Sequence, residues 1–218
     1  MKGRQFNSQE AQVLEQILQH RRDVRGNRFL PKPISQEDLE RILLAGVNAP
    51  SVGFSQPWEF ILVESDAKRQ GIYDVFQQEN QKAAQQFSDQ RSQHYQALKL
   101  EGIQESAVNI AVFYRPSEQP VLGQTSMEEV GRYSVVCAVQ NMWLMARSLN
   151  IGMGWVSILN KHRVKSILEV PEDRELIAYL CLGYVDEFYS SPELERLQWE
   201  KRKSLSEVVF RDQHAKPV

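Results

Sequence analysis

Arg21-Arg22-Asp23-Val24-Arg25 places three guanidinium groups and one carboxylate within five consecutive residues. Cations packed this closely repel one another unless an anion lies among them. Arginine forks match phosphate oxygens in bidentate geometry, so a phosphate monoester is a reasonable ligand. A solvated basic turn is the competing reading. Asp23 argues against it, because a carboxylate amid three arginines is held ionised, as an internal counter-ion or as a base beside a ligand.

A second candidate is Asn48-Ala49-Pro50-Ser51-Val52-Gly53-Phe54-Ser55-Gln56-Pro57-Trp58. Its prolines, glycine and small polar residues predict a rigid helix-to-strand loop with free backbone groups, from which Phe54 protrudes. A third is Gly152-Met153-Gly154-Trp155-Val156-Ser157-Ile158. Glycines before a strand let backbone approach a flat ligand closely. Ser157 interrupts apolar residues, so its hydroxyl needs a partner, either a carbonyl or a ligand.

Other chemistries find little support. The four histidines (His20, His94, His162 and His214) are dispersed, with no cysteine or carboxylate at metal-site spacing, so no metal is expected. GxSxG, Walker and HExxH patterns are absent. A net charge of -2 disfavours nucleic-acid binding. Hydrophobic and charged fractions of 42% and 25% are those of a globular chain, and 218 residues suit one domain spanning 1–218. Cys137 and Cys181 sit in apolar runs and read as two buried thiols in a reducing compartment. With no signal-peptide pattern and no apolar run long enough for a bilayer, the expectation is a cytoplasmic, membrane-free protein.

The elements that must position these residues follow from periodicity. Val13, Leu14, Ile17 and Leu18 predict an amphipathic helix ending near Arg21. Ser35 with Asp38 predicts the capped start of a second helix, whose inner stripe is Leu39, Ile42, Leu43 and Gly46. Trp58 to Val63 reads as a strand. The glutamine-rich stretch from Asp66 to Gln96, anchored by Tyr73, Phe76, Ala83, Phe87 and Tyr95, reads as a solvated helix pair or a mobile lid. Ala107 to Tyr114 is a second strand. Met127 to Leu149 is a helix so apolar that protein should wrap most of it, partly from another subunit. Asn150 and Gly152 suit its end, and Trp155 to Leu159 and Leu176 to Tyr184 complete the strands. No Gly-rich fingerprint follows the first strand, which disfavours a Rossmann domain and leaves an α+β sheet flanked by helices.

The segments RRDVR, PSVGFSQPW and GMGWVSI, in that order, resemble the nitroreductase-like flavoproteins over nearly the whole chain. That family has an RRSxR-type phosphate motif, a PSxxNxQPW-type loop and a glycine-rich stretch before a late strand. Here Asp23 stands where ordinary members have Ser, and Phe54 where they have Asn. With Leu98-Lys99-Leu100-Glu101-Gly102-Ile103, a lid segment in that branch, these departures resemble the 5,6-dimethylbenzimidazole synthases, which serve cobalamin biosynthesis.

The resemblance implies a mostly antiparallel central sheet and an intertwined homodimer with FMN between subunits. It implies oxygen-dependent fragmentation of reduced FMN, as substrate, to 5,6-dimethylbenzimidazole and D-erythrose 4-phosphate. NAD(P)H would enter only as an indirect electron source, through a flavin reductase as transient partner. It assigns Arg21, Arg22 and Arg25, with Val24, to the phosphate and ribityl chain, and Ser51, Gly53, Phe54 and Gln56 to the ring. Leu100, Val156 and, more loosely, Arg202 join them, while Asp23 and Ser157 carry catalysis. The alternative is an NAD(P)H-dependent FMN nitroreductase with recycling flavin.

Overall fold

Each early helix begins at a side-chain cap. In the computed structural model, which describes residues 3–214, Asn7 and Glu10 form a reciprocal capping box at α1 (Ser8–His20). Ser35 Oγ accepts the Asp38 N–H, as expected, at α2 (Gln36–Val47). β1 (Trp58–Leu62) follows, then α3 (Asp66–Ala84), α4 (Asp89–Ala97) and β2 (Val108–Tyr114). The long helix α5 (Val130–Ser148) leads through Asn150, at φ 57°, into β3 (Ile151–Val156), α6 (Lys161–Leu168) and β4 (Glu175–Tyr184). The chain forms two compact units, residues up to Phe188 and from Tyr189 onward. The second holds the short α7 (Glu193–Arg196).

The four strands make one antiparallel sheet in the order β1-β2-β4-β3. Alternation along each strand splits the core in two. Ile110, Val112, Leu180, Leu182 and Met153 pack on the Val135, Val139 and Met142 face of α5, together with Leu39 and Ile42 of α2. Ala111, Phe113, Tyr179, Cys181 and Val156 face the other way, onto Ile72, Val75 and Phe76 of α3 and Val164 and Leu168 of α6. A register shift at Val112/Phe113, where Ile177 is the extra residue on β4, lets Leu176 and Tyr179 share a face.

Several expectations need correction. The glutamine-rich stretch is a helix pair, one of its two expected forms, but α3 is tied down more firmly than expected, by Ile72 and Val75 as well as Phe76, all buried. α1 buries no residue: Val13, Leu14 and Leu18 are exposed. On α5, Tyr133 and Val136 are exposed, although the sheet, α2 and α1 all pack against this helix within one chain. Cys137 follows that outward stripe and is exposed, whereas Cys181 is buried in the sheet. β3 starts at Ile151, four residues earlier than expected, and ends before Ser157.

Candidate functional site

β3 is an edge strand, and the arginine-rich segment covers its free edge. Asp23 bridges Met153 in parallel, and the Val24 N–H donates to the Met153 carbonyl at 3.1 Å. The ladder then passes to side chains. Asp23 Oδ1 accepts the Trp155 N–H at 3.2 Å, and Arg25 donates to the Trp155 carbonyl at 3.1 Å. Asp23 and Arg25 are themselves ion-paired. A carboxylate and a guanidinium thus saturate both backbone groups of one edge-strand residue, as a neighbouring strand would.

This geometry explains the glycines differently from the sequence reading. A Cβ on Gly154 would lie 2.1 Å from the Val24 carbonyl oxygen, and one on Gly152 would lie 2.5 Å from the Val185 side chain. The close approach is made by the chain itself, by backbone at Gly154 and by valine side chains at Gly152. Both glycines lie within the strand, buried, rather than before it.

The basic segment is held from α5. The Arg21 guanidinium stacks over the Trp143 ring at 4.6 Å, and Trp143 Nε1 donates to the Arg22 carbonyl at 3.2 Å. Arg147 Nε donates to the His20 carbonyl at 2.9 Å. Sequence reasoning missed both residues. Their signal was a Trp and an Arg four apart, hence on one helix face. Arg22 is buried and caps the end of α1 by donating to the Gln19 and Arg21 carbonyls, both at 2.7 Å. Asp23 keeps a side-chain exposure of 38% and Arg25 16%, so the carboxylate faces solvent beside a mostly covered cation. Ser157 is exposed just past β3, so its hydroxyl does not sit inside an apolar strand as expected.

Ser51, Gly53, Phe54 and Gln56 lie elsewhere. Gly53, Phe54 and Gln56 all have positive φ (54°, 53° and 47°), a tight loop fixed by two serines. Ser51 Oγ accepts the Gln56 N–H at 3.0 Å, and Ser134 Oγ of α5 accepts the Val52 N–H at 3.1 Å. Phe54 projects, 80% exposed. This loop precedes β1, on the opposite edge of the sheet from β3. Three strand spacings separate the two edges by about 14 Å.

Leu100 is partly buried against the α3/α6 core, and Glu101, Gly102 and Ile103 after it are buried, so this part of the expected lid is anchored. Arg202 is exposed in the C-terminal unit. A cavity of about 590 Å³ at Tyr114, Arg132, Lys161 and Glu175 includes none of the predicted site residues. A smaller one of about 380 Å³ includes Gln56. The donor set beside the β3 edge nevertheless fits an anionic group such as a phosphate: arginines from one segment, with a solvent-facing carboxylate next to them and an exposed serine just past the strand.

Comparison with known proteins identifies the family and the fold. The model of the nitroreductase family matches residues 18–184. A 5,6-dimethylbenzimidazole synthase of Rhodospirillum rubrum is 42% identical over 87% of this chain and 90% of its own length. One of Rhodobacter capsulatus is 33% identical over 90% of this chain and 95% of its own. Among solved structures, an iodotyrosine deiodinase bound to FMN and 3-iodo-L-tyrosine superposes with a TM-score of 0.72 at 20% identity, covering 92% of this chain and 98% of that one. The NADPH:FMN oxidoreductase of Vibrio harveyi gives 0.68 at 19% identity, covering 93% and 78%. These two establish the shared fold.

Proposed function

The chain belongs to the nitroreductase family and is an enzyme, and on that premise we propose that it fragments reduced FMN with O2 to 5,6-dimethylbenzimidazole and D-erythrose 4-phosphate. The observation that carries this reading is the Asp23 carboxylate, facing solvent between the arginines and the end of β3, joined to relatives that bear the synthase name. Reduced FMN would supply both the electrons for O2 and the ring system that becomes product.

In this reading Arg21 and Arg25 hold the phosphate and the start of the ribityl chain, beside Val24. Arg22 fixes the backbone that carries them, through its bonds to the Gln19 and Arg21 carbonyls. Asp23, oriented by the Trp155 N–H, takes a proton from the ribityl carbon next to the ring. Ser157, next to Val156, hydrogen-bonds the ring edge.

Ser51, Gly53, Phe54 and Gln56 lie across the sheet, so one ligand meets both groups only if a second copy contributes the loop. The reading therefore includes a homodimer, closed by the exposed apolar residues of α1, α2 and α5, with Phe54 of one chain shielding the ring on the other. Exclusion of water matters because oxygen chemistry in an open site ends in hydrogen peroxide instead of ring cleavage. A flavin reductase would deliver the reduced substrate, with NAD(P)H as its electron source, in a cytoplasmic setting.

The test is to mix the protein anaerobically with chemically reduced FMN, admit air and analyse the products by mass spectrometry. Dimethylbenzimidazole appearing with stoichiometric loss of flavin is the expected result. Full recovery of oxidised FMN would overturn the reading in favour of a recycling reductase.

A further inference from the structure

Among the described residues Glu101 is the one carboxylate buried in the fold, 2% exposed. It is ion-paired with Lys99 and accepts the Ile103 N–H at 2.7 Å. A neutral glutamine could accept that N–H equally well. Keeping a charge out of water is costly, so its retention calls for a reason beyond local folding.

The surroundings supply one. The Glu101 carbonyl accepts the Gly26 N–H at 2.8 Å, immediately after Arg25. Lys99 also binds Glu105 at 2.7 Å, and the Glu105 carboxyl occupies the space where a Gly26 Cβ would stand, 2.5 Å away. Gly102 lies against the Phe29 ring, with room for no side chain: a Cβ would come within 2.6 Å. One ammonium thus draws together two carboxylates, that of Glu105 beside Gly26 and that of Glu101, whose own carbonyl holds the Gly26 N–H. Burial works to lower the Lys99 pKa, but its bonds to Glu101 and Glu105 outweigh that and hold it above the usual lysine range. The Cys181 thiol, opposite Gly154, is pushed up to about 12 by burial; Glu101 raises it further while Arg25 pulls it down.

We propose that Glu101, tied by Lys99, is a positioning residue that holds the Arg25-Gly26 turn. It thereby keeps Arg25 and Asp23 aligned on the two backbone groups of Trp155 before any flavin arrives. The proposal deepens the flavin reading of that site and rests on it for the nature of the ligand. It assigns the 99–105 segment a permanent clamping role on the phosphate side of the site.

The experiment is hydrogen exchange on the full chain without ligand, comparing wild type with Glu101→Gln, alongside oxidised FMN affinity from flavin fluorescence. Exchange at Gly26 should rise about tenfold, and FMN should bind about tenfold more weakly, the scale of one charge-assisted hydrogen bond. Peptides from β2 and β4 should be unchanged, which a merely destabilised fold would not allow. Lys99→Met should repeat this signature and Lys99→Arg should retain wild-type exchange; these two variants also serve if Glu101→Gln fails to fold. Unchanged exchange at Gly26, or an equal rise across β2 and β4, would overturn the proposal. Neither readout involves reduced flavin or O2, so failure of the air-exposure experiment and failure of this one are separable.

Discussion

Asp23 stands under two demands: one oxygen accepts the Trp155 N–H and the other meets Arg25. Asparagine at this position could still accept the N–H but could neither pair with Arg25 nor take a proton. Under the proposed function Asp23→Asn should leave FMN affinity within a few-fold. Dimethylbenzimidazole formation should fall by at least about a hundredfold, the lower end of what a positioned general base contributes. Single-turnover assays with reduced FMN read both quantities, and product at the wild-type rate would remove Asp23 from the chemistry. The sequence made this residue visible through charge alone, a carboxylate among arginines. It could not show that the backbone of Trp155 is a partner, because that contact joins positions 132 residues apart.

The free edge of β3 is an open row of backbone donors and acceptors, and such edges invite unwanted pairing. Residues 23–25 close it, and Gly154 makes room for them. Gly154→Ala would place a methyl group 2.1 Å from the Val24 carbonyl oxygen, so the segment must lift off the strand. A loss of about 1–3 kcal/mol is expected, the usual cost of forcing extra volume into a packed site. Chemical denaturation should show it as a lower midpoint at unchanged slope; an unaltered midpoint would mean the edge segment is not packed as described. FMN affinity should fall in the same variant, since Arg25 rides on that segment. The glycines were legible as marks of close backbone approach. Whether ligand or chain makes that approach is a matter of tertiary neighbours, which the pattern of residues around a glycine does not encode.

Residues 1–188 leave an apolar surface that one chain does not cover: Val13, Leu14 and Leu18 on α1, Leu44 and Val47 on α2, and Tyr133 and Val136 on α5. Exposed apolar residues contiguous over several elements mark interaction surfaces. The proposed dimer buries them and brings the Phe54 loop of one copy to the β3 edge of the other. Val136→Asp should therefore yield monomers by sedimentation and should weaken FMN binding although no flavin-contacting residue is changed. A variant that stays dimeric, or a monomer with wild-type FMN affinity, would count against a site shared between subunits.

Local chemistry and periodicity were enough for the α+β class, the element order, the cap that Ser35 places on the Asp38 N–H and the inner stripe of α2. Each depends on residues a few positions apart, where backbone geometry makes neighbours predictable. The three motifs were likewise readable, because the types of side chain that hold phosphate, turn a chain or admit close packing are limited. Only the tertiary structure decided that Arg21–Arg25 forms the outer border of β3, that Ser157 lies beyond that strand, and that Cys137 faces outward. It also decided that Glu101 is buried with its carbonyl on the Gly26 N–H and that the Phe54 loop lies at the far edge of the sheet. These facts follow from strand order and from which face of each helix meets the sheet, and both are set by contacts between residues distant in the chain.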